Sequence, residues 1–166
     1  MKLLDLRICI YTFLIVISFT MSAQNWTRKS DFISKDRYAS IAFAINGHGY
    51  VGLGQDGSSF FNDILRYNPN TNTWDSISNF PSVARSSSIA FVIDSFAYVG
   101  LGWTTSPSPT TFGDMYKYDP SNDSWSSISS YPGNAGRNSM AASCRGKGYV
   151  FGGTYNYNTP YSNQMW

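Results

Sequence analysis

Three arginines recur at related places in the chain and have the clearest capacity for binding chemistry. Arg37, Arg85 and Arg137 each follow a tryptophan-to-aromatic segment and precede an apolar run. A guanidinium group offers five donors in a planar fork and binds a carboxylate through two parallel hydrogen bonds. The arginines are therefore candidates for contacting an acidic ligand. The alternative is structural, with each arginine tying its loop to carbonyl groups of a neighbouring repeat.

Aromatic residues near these arginines form the second candidate group. Trp103 and Tyr155 lie among Ser, Thr and Asn residues, in segments that vary in length and composition between repeats. Aromatic rings beside small polar side chains suit stacking on sugars or packing against a protein partner. The same segments also contain Phe60, Phe61, Phe112 and Tyr157.

The remaining reactive residue types do not assemble into a catalytic or metal-binding pattern. His48 is the single histidine and lies in a turn, so it lacks partner ligands for a metal. Cys144 has no histidine in its repeat, which favours a small buried side chain over a nucleophile. Asp63 and Asp114 recur at equivalent positions, which favours capping of loop amides over acid–base chemistry. We predict no metal, no cofactor and no catalytic residue in this chain.

Composition excludes several classes of protein. Of the 166 residues, 42% are hydrophobic and 17% aromatic, which is enough apolar surface for a folded core. Every acidic residue is Asp, and Ser, Asn, Gly, Thr and Tyr are abundant, which favours strands and tight turns over helices. The formal net charge is +2 without a basic cluster, so nucleic acid is not an expected partner.

The N-terminus has the pattern of a secretory signal peptide. Lys2 and Arg7 precede the apolar run 8–19, and small residues follow up to Ala23. We predict cleavage after residue 23, leaving no membrane span, because the run is shorter than the roughly 20 residues that a span needs. A retained membrane anchor is the alternative. Cleavage leaves Cys144 as the single cysteine, a pattern compatible with a secreted or cell-surface bacterial protein.

The chain repeats one pattern three times. Trp26, Trp74 and Trp125 are each followed six residues later by an aromatic residue, then by an arginine, an apolar run and a Tyr-Val strand that ends in glycine. The repeat length of about 50 residues is typical of propeller blades, each made of four short antiparallel strands.

The second repeat illustrates the four predicted strands, named a to d. Their ranges are 87–93, 97–102, 114–118 and 124–129. Antiparallel order places the short a–b and c–d turns on one face and the variable b–c and d–a loops on the other. Because binding surfaces usually occupy variable loops on a constant scaffold, we expect ligands on the b–c/d–a face.

The recurring residues resemble the kelch-repeat β-propeller family. Its motif combines an arginine at the blade entry, an aromatic-then-glycine strand end, a Tyr-Asp-Pro turn and a tryptophan, which is matched at Arg85, Tyr98, Gly100, Gly102, Tyr118, Asp119, Pro120 and Trp125. The Gly-Gly pair of the family occurs only as Gly152-Gly153, whereas the other repeats have Gly-Leu-Gly. The resemblance implies an all-β kelch-type propeller, here of about two and a half four-stranded antiparallel blades.

The repeats predict an incomplete ring. Residues 24–36 are interpreted as strand d of a closing blade, followed by blade 1 (37–84), blade 2 (85–136) and the first half of blade 3 (137–166). A closed ring needs at least four blades, so we expect the chain to be an N-terminal fragment that needs the remaining blades of its own chain. An oligomer that completes the ring and a curved open array are the alternatives.

Two functions are compatible with these features. The first is a secreted binding or scaffold protein that recognises a protein or glycan ligand on the b–c/d–a face. The second is an enzyme of the kind found among kelch-like propellers, resembling a sialic-acid mutarotase or, with less support from these residues, galactose oxidase. The single histidine on the opposite face does not suit the copper site of the oxidase, whereas nothing in the sequence excludes the mutarotase. Fold alone does not decide between these functions.

Overall fold

The computed structural model describes residues 25–134, 136–155 and 161–166. All regular structure in these residues is β, as the sequence predicts, and no helix long and apolar enough to cross a membrane occurs in these ranges. The predicted signal peptide and Tyr157 lie outside the described residues.

Two complete blades form four-stranded antiparallel sheets. The first contains β1 (Ile41–Ile45), β2 (His48–Gly52), β3 (Ile64–Asn68) and β4 (Thr73–Ser76) in that order. The second contains β5 (Ile89–Ile93), β6 (Phe96–Gly100), β9 (Met115–Asp119) and β10 (Ser124–Ile128), also in chain order. These orders confirm the predicted a–b–c–d arrangement of an incomplete kelch-type propeller.

Two smaller sheets complete the described structure. A two-residue hairpin, β7 (Trp103–Thr104) with β8 (Thr110–Thr111), lies within the second b–c segment, which the sequence predicted as a loop. The third blade contributes β11 (Met140–Cys144) and β12 (Lys147–Phe151), and the backbone of Val150 pairs with that of Trp166 in both directions.

The core lies between neighbouring blades. One apolar cluster joins side chains of the first and second sheets, including Ile41, Ile45, Val99 and Tyr118. A second cluster joins the second sheet to Val150 of β12. The residues alternate in burial along the strands because successive side chains point to opposite faces. The apolar clusters thereby hold each blade against its neighbour.

Backbone hydrogen bonds also connect the blades at the inner strands. The N–H of Ser87 donates to the carbonyl of Ala39 at 2.9 Å, and the N–H of Asn138 donates to Ser87 at 3.3 Å. All three residues have left-handed backbone conformations, with φ of 54°, 53° and 59°. This conformation explains why β5 begins at Ile89, two residues later than predicted, since a left-handed residue cannot continue a strand.

Residues 25–36, which the sequence analysis interprets as strand d of a closing blade, form no strand in this structure. No described strand lies alongside this segment to pair with its backbone, and Trp26 is exposed. The segment instead packs as a linker. The ring of Phe32 meets Trp74 edge-on at 5.2 Å, and Trp74 Nε1 donates to the carbonyl of Ser30.

The two outer-strand tryptophans pack in the same way. Trp125 contacts Tyr118 of its own sheet and donates from Nε1 to the carbonyl of Ser78 at 3.0 Å. Trp74 likewise contacts Tyr67 of its own sheet. The Nε1 hydrogen bond of each tryptophan reaches back to the linker that precedes its blade.

Leu53 and Leu101 replace the first glycine of the kelch Gly-Gly pair at a strained position. Their φ values are 54° and 56°, and the equivalent Gly152 has a φ of 69°. Left-handed backbone costs roughly 1–2 kcal/mol in a residue with a Cβ. Both leucines are completely buried, so their packing offsets the strain.

We predict that Leu101→Gly lowers the free energy of unfolding by about 2 kcal/mol. Loss of a buried leucine side chain costs about 3–5 kcal/mol, whereas relief of the strain returns about 1–2 kcal/mol. Urea unfolding measures the difference. The control is Asp94→Gly, at an exposed left-handed turn residue, which should keep or slightly raise stability. An equal rise in the free energy of unfolding in both variants would contradict the conclusion that leucine packing offsets the backbone strain.

Candidate functional site

The b–c/d–a face carries the predicted binding residues, but two of its arginines are used internally. Arg85 is fully buried, and its guanidinium lies between the rings of Phe80 and Phe112, at 5.1 and 3.7 Å from their centroids. Its side chain makes five hydrogen bonds, which match its five N–H donors. The acceptors are both carboxylate oxygens of Asp114, Ser82 Oγ, and the carbonyls of Val83 and Leu101.

Arg37 repeats this arrangement in the first blade. Nη1 donates to Asp63 Oδ1 at 2.6 Å and Nη2 to Oδ2 at 2.9 Å. The other acceptors are Ser34 Oγ and the carbonyls of Lys35 and Leu53, and the guanidinium lies against Phe32 and Phe61. Each set of arginine, aspartate, serine and two phenylalanines is called here a blade clamp. Both clamps favour the structural interpretation of Arg37 and Arg85.

The clamps correct two details of the sequence interpretation. The carbonyls that accept from each side chain belong to the arginine's own blade and loop, not to a neighbouring blade. Contact with the preceding blade comes from the backbone of Arg85, whose N–H donates to Phe61 and whose carbonyl accepts from Gly54. Asp63 and Asp114 accept from guanidinium groups, where capping of loop amides was expected.

The clamp also determines the protonation of Asp63. Burial opposes ionisation, but hydrogen bonds from Arg37 and Ser34 and the charge of Arg37 outweigh it, so the pKa of Asp63 lies below its ordinary value. A carboxylate held ionised and bonded in this way is not suited to act as a general base, because its lone pairs are already occupied.

Arg137 is not equivalent to the other two arginines. Gly54 donates its N–H to the carbonyl of Arg85, and Gly102 donates to the carbonyl of Gly136, so Gly136 holds the clamp position in the third blade. Arg137 pairs by backbone with Thr154, as Ser86 pairs with Trp103 one blade earlier. One extra residue between tryptophan and arginine shifts Arg137 out of the clamp.

The side chain of Arg137 instead reaches the second blade. Its guanidinium carbon lies 4.6 Å from the centroid of Trp103, and Trp103 meets Phe60 of the first blade edge-on at 5.5 Å. These three residues, here called the Arg137 stack, join loops of all three blades on the b–c/d–a face. Of the five residues predicted to bind a ligand, the structure therefore brings Arg137 and Trp103 together.

A groove of about 320 Å³ lies beside this stack, between the first two b–c segments. It is lined by Phe60 and mainly by small hydroxylated residues, among them Ser58, Ser59, Thr104 and Thr105. An aromatic ring next to several hydroxyl groups suits a sugar, which offers apolar C–H faces and many hydrogen-bonding groups.

The other candidate residues lie apart from this arrangement. Tyr155 is 45% exposed, and its carbonyl accepts from Thr111 Oγ1 at 3.3 Å. His48 begins β2, directly after the first a–b turn in which the sequence placed it, and no group of three His, Cys, Asp or Glu residues within the described ranges could hold a metal ion. Cys144 is exposed, whereas the sequence suggested burial, because β11 packs on β5 through its other face.

Sequence reasoning missed the serine of each clamp and a buried amide. Ser34 and Ser82 lie three residues before Arg37 and Arg85, a recurrence that was visible in the sequence. Gln55 is buried and donates from Nε2 to Ser86 Oγ at 3.1 Å, linking the first two blades. No repeated pattern marks Gln55, because the equivalent residues are Trp103 and Thr154.

We predict that Arg85→Ala lowers the free energy of unfolding by about 3–5 kcal/mol, because it removes a fully buried side chain and leaves the half-buried Asp114 without its partner. Chemical denaturation provides the measurement. The control Arg66→Ala removes an arginine from an exposed pair with Asp75 at 3.2 Å and should cost at most about 1 kcal/mol. Similar losses of unfolding free energy in both variants would show that the clamp stabilises the fold no more than an exposed ion pair does.

Stability should also fall in acid because of Asp63. Its pKa is lowered on folding, so its contribution is complete above the ordinary aspartate pKa of about 3.9 and is lost as pH falls through the lower folded value. Thermal unfolding between pH 7 and pH 2 tests this. Asp63→Asn should show a lower melting temperature at pH 7 and a shallower decline below about pH 4. An unchanged decline would exclude this linkage.

Comparison with known proteins identifies the family. The family model described as N-acetylneuraminate epimerase matches residues 31–157, which include both clamps and the Arg137 stack. No curated protein matched the chain in the sequence comparison. Because the match covers more than half of the chain and agrees with its antiparallel four-stranded blades, this chain belongs to the N-acetylneuraminate epimerase family of kelch-type propellers.

Proposed function

We propose that the protein is a secreted propeller that binds N-acetylneuraminate or a closely related acidic sugar on the b–c/d–a face. The observation that carries the proposal is the family match, which spans every loop of that face in the first two blades. A protein ligand, the other partner considered from the sequence, has no comparable support. The predicted signal peptide at residues 1–23 supports export as part of the same proposal.

The Arg137 stack supplies the chemistry that an acidic sugar requires. Its guanidinium provides a positive charge for a carboxylate, while Trp103 and Phe60 provide apolar ring surface. The hydroxyl-lined groove next to Phe60 supplies polar partners for sugar hydroxyls. Arg37 and Arg85 act indirectly in this proposal, because their clamps hold the loops and all their donors have protein acceptors.

Epimerisation of the bound sugar is the second candidate, favoured by the name of the matching family. Interconversion of the anomers requires removal of a proton from the anomeric hydroxyl and delivery of one to the ring oxygen. Asp63 and Asp114 are committed to the clamps and are poor candidates for these transfers. In this proposal the described residues bind and orient the sugar.

Calorimetric titration with N-acetylneuraminate tests the binding proposal. We expect Arg137→Ala to weaken binding about tenfold or more, equivalent to about 1.4 kcal/mol, because a charge-assisted contact with the carboxylate is lost. Trp103→Ala should weaken binding through lost ring contact. The matched control is Arg145→Ala, which removes an exposed arginine from an a–b turn on the opposite face and should leave affinity unchanged.

The same samples separate a binding protein from an epimerase. Proton NMR follows a freshly dissolved single anomer as it approaches equilibrium, with and without the protein. Acceleration that is lost in Arg137→Ala supports epimerisation, and binding without acceleration supports a recognition module. Absence of binding to N-acetylneuraminate, or equal affinity in the Arg137 and Arg145 variants, would overturn the proposed site.

A further inference from the structure

The third blade lacks the clamp that the first two blades share. Backbone hydrogen bonds establish the equivalent positions: Gly152 donates to the carbonyl of Gln164 as Leu101 donates to that of Asp114. Gln164 therefore replaces the clamp aspartate, and Gly136 replaces the arginine. Both charges of the clamp are lost together.

The other clamp positions change in the same blade. Ser162 donates its N–H to Gly153 as Phe112 donates to Gly102, so a serine replaces the covering phenylalanine. Gly133 lies three residues before Gly136, where Ser34 and Ser82 stand in the other clamps. Both charges are thus removed, and three of the four replacements also reduce the size of the side chain.

A cavity occupies the corresponding volume. It measures about 210 Å³ and is lined by Asn134, Gly136, Gly152, Thr154, Ser162 and Gln164 together with Tyr155 and Tyr161. The space exceeds the roughly 30 Å³ of one water several times over. Arg137 lies against Trp103 on the neighbouring blade. The cavity is therefore the vacated place of a guanidinium group and its covering ring.

The lining of this cavity accepts hydrogen bonds but carries no charge. The carbonyls of Asn134 and Gly152 hold the positions of the two carbonyls that accept from Arg85, those of Val83 and Leu101. Gly152 still accepts from Ser139 Oγ at 3.3 Å, which leaves a second lone pair on that carbonyl. Thr154 Oγ1 is buried without a hydrogen-bond partner, which is costly unless a partner is supplied.

Neutral donors suit this environment better than ions. A cation would enter without the carboxylate that compensates Arg85, and an anion would face carbonyl oxygens. Hydroxyl and amide groups can donate to the carbonyls and accept from Ser162 and the Gln164 amide.

We propose that the third-blade cavity binds the neutral hydroxyl- and acetamido-bearing part of a sugar. This inference rests on the proposed function and extends it. The Arg137 stack holds the carboxylate end of the ligand, and the cavity holds its uncharged arm. Loss of one clamp thus converts a structural position into a specificity-determining pocket.

Restoring the clamp tests the proposal. The double variant Gly136→Arg/Gln164→Asp reproduces the charged pair of the other blades, and Gly136 has no left-handed φ that would oppose the arginine. Ser162→Phe is a second variant that restores only the covering ring. The probes are N-acetylneuraminate and N-acetylmannosamine, an N-acetylated sugar without a carboxylate. Affinity is measured by calorimetry, and contact by NMR shifts of the Gly152 and Gly153 amides.

We expect both sugars to shift the NMR signals of the two glycine amides in the wild type. Each variant should bind both sugars at least tenfold more weakly. A cooperative thermal unfolding transition of the double variant shows that it folds, even though a Cβ at position 136 lies 3.0 Å from the Thr154 carbonyl. Unchanged affinity in either folded variant, or no shift at Gly152 and Gly153, would overturn the cavity proposal.

The two proposals fail in different ways. If Arg137→Ala weakens the binding of N-acetylneuraminate while the cavity variants bind this sugar with wild-type affinity, the proposed function stands and the cavity proposal falls. If N-acetylmannosamine shifts the glycine amides but N-acetylneuraminate does not bind, the cavity stands and the acidic-sugar function falls. If neither sugar binds, both are overturned.

Discussion

The buried pair of Arg85 and Asp114 is the constraint on which the ligand face depends. A guanidinium with no exposed surface must keep all its acceptors, because an unpaired charge in that place costs several kcal/mol. The pair therefore fixes the end of one strand, the start of the next and the loop that enters the blade. With the same clamp at Arg37, two neighbouring blades present their loops at constant positions.

This constraint divides the face into two kinds of residue. Clamp residues are saturated by protein contacts and hold loops in place. Residues one position further along the chain, or in the b–c segments, vary in type and include those proposed to bind the ligand. Arg137 lies on this boundary, because a single inserted residue moves an arginine from the first kind to the second. In this fold, small changes in register and side-chain size are enough to turn a structural position into one proposed for recognition.

The repeats made the architecture predictable, because strand order and turn positions follow from patterns that occur three times. Individual side-chain roles were less predictable. Arg85 and Arg137 share a residue type and an approximate spacing, yet backbone pairing with Gly54 and Thr154 places them differently. A shift of one residue reverses the direction of a side chain at a strand end, so approximate spacing cannot decide a role. The third-blade cavity was hidden for the same reason, since it results from several replacements at aligned positions.

The back-reaching contacts of each blade bear on the order in which the molecule assembles. Trp125 and Asp123 bond to Ser78 in the linker that precedes their blade, and Ser87 donates to the carbonyl of Ala39 in the blade before it. Every such bond joins a later segment to an earlier neighbour. As the chain leaves the ribosome from its N-terminus, each blade finds its docking surface already made. Propagation along neighbouring units of this kind lets folding proceed stepwise and confines the effect of a damaged unit to those beside it.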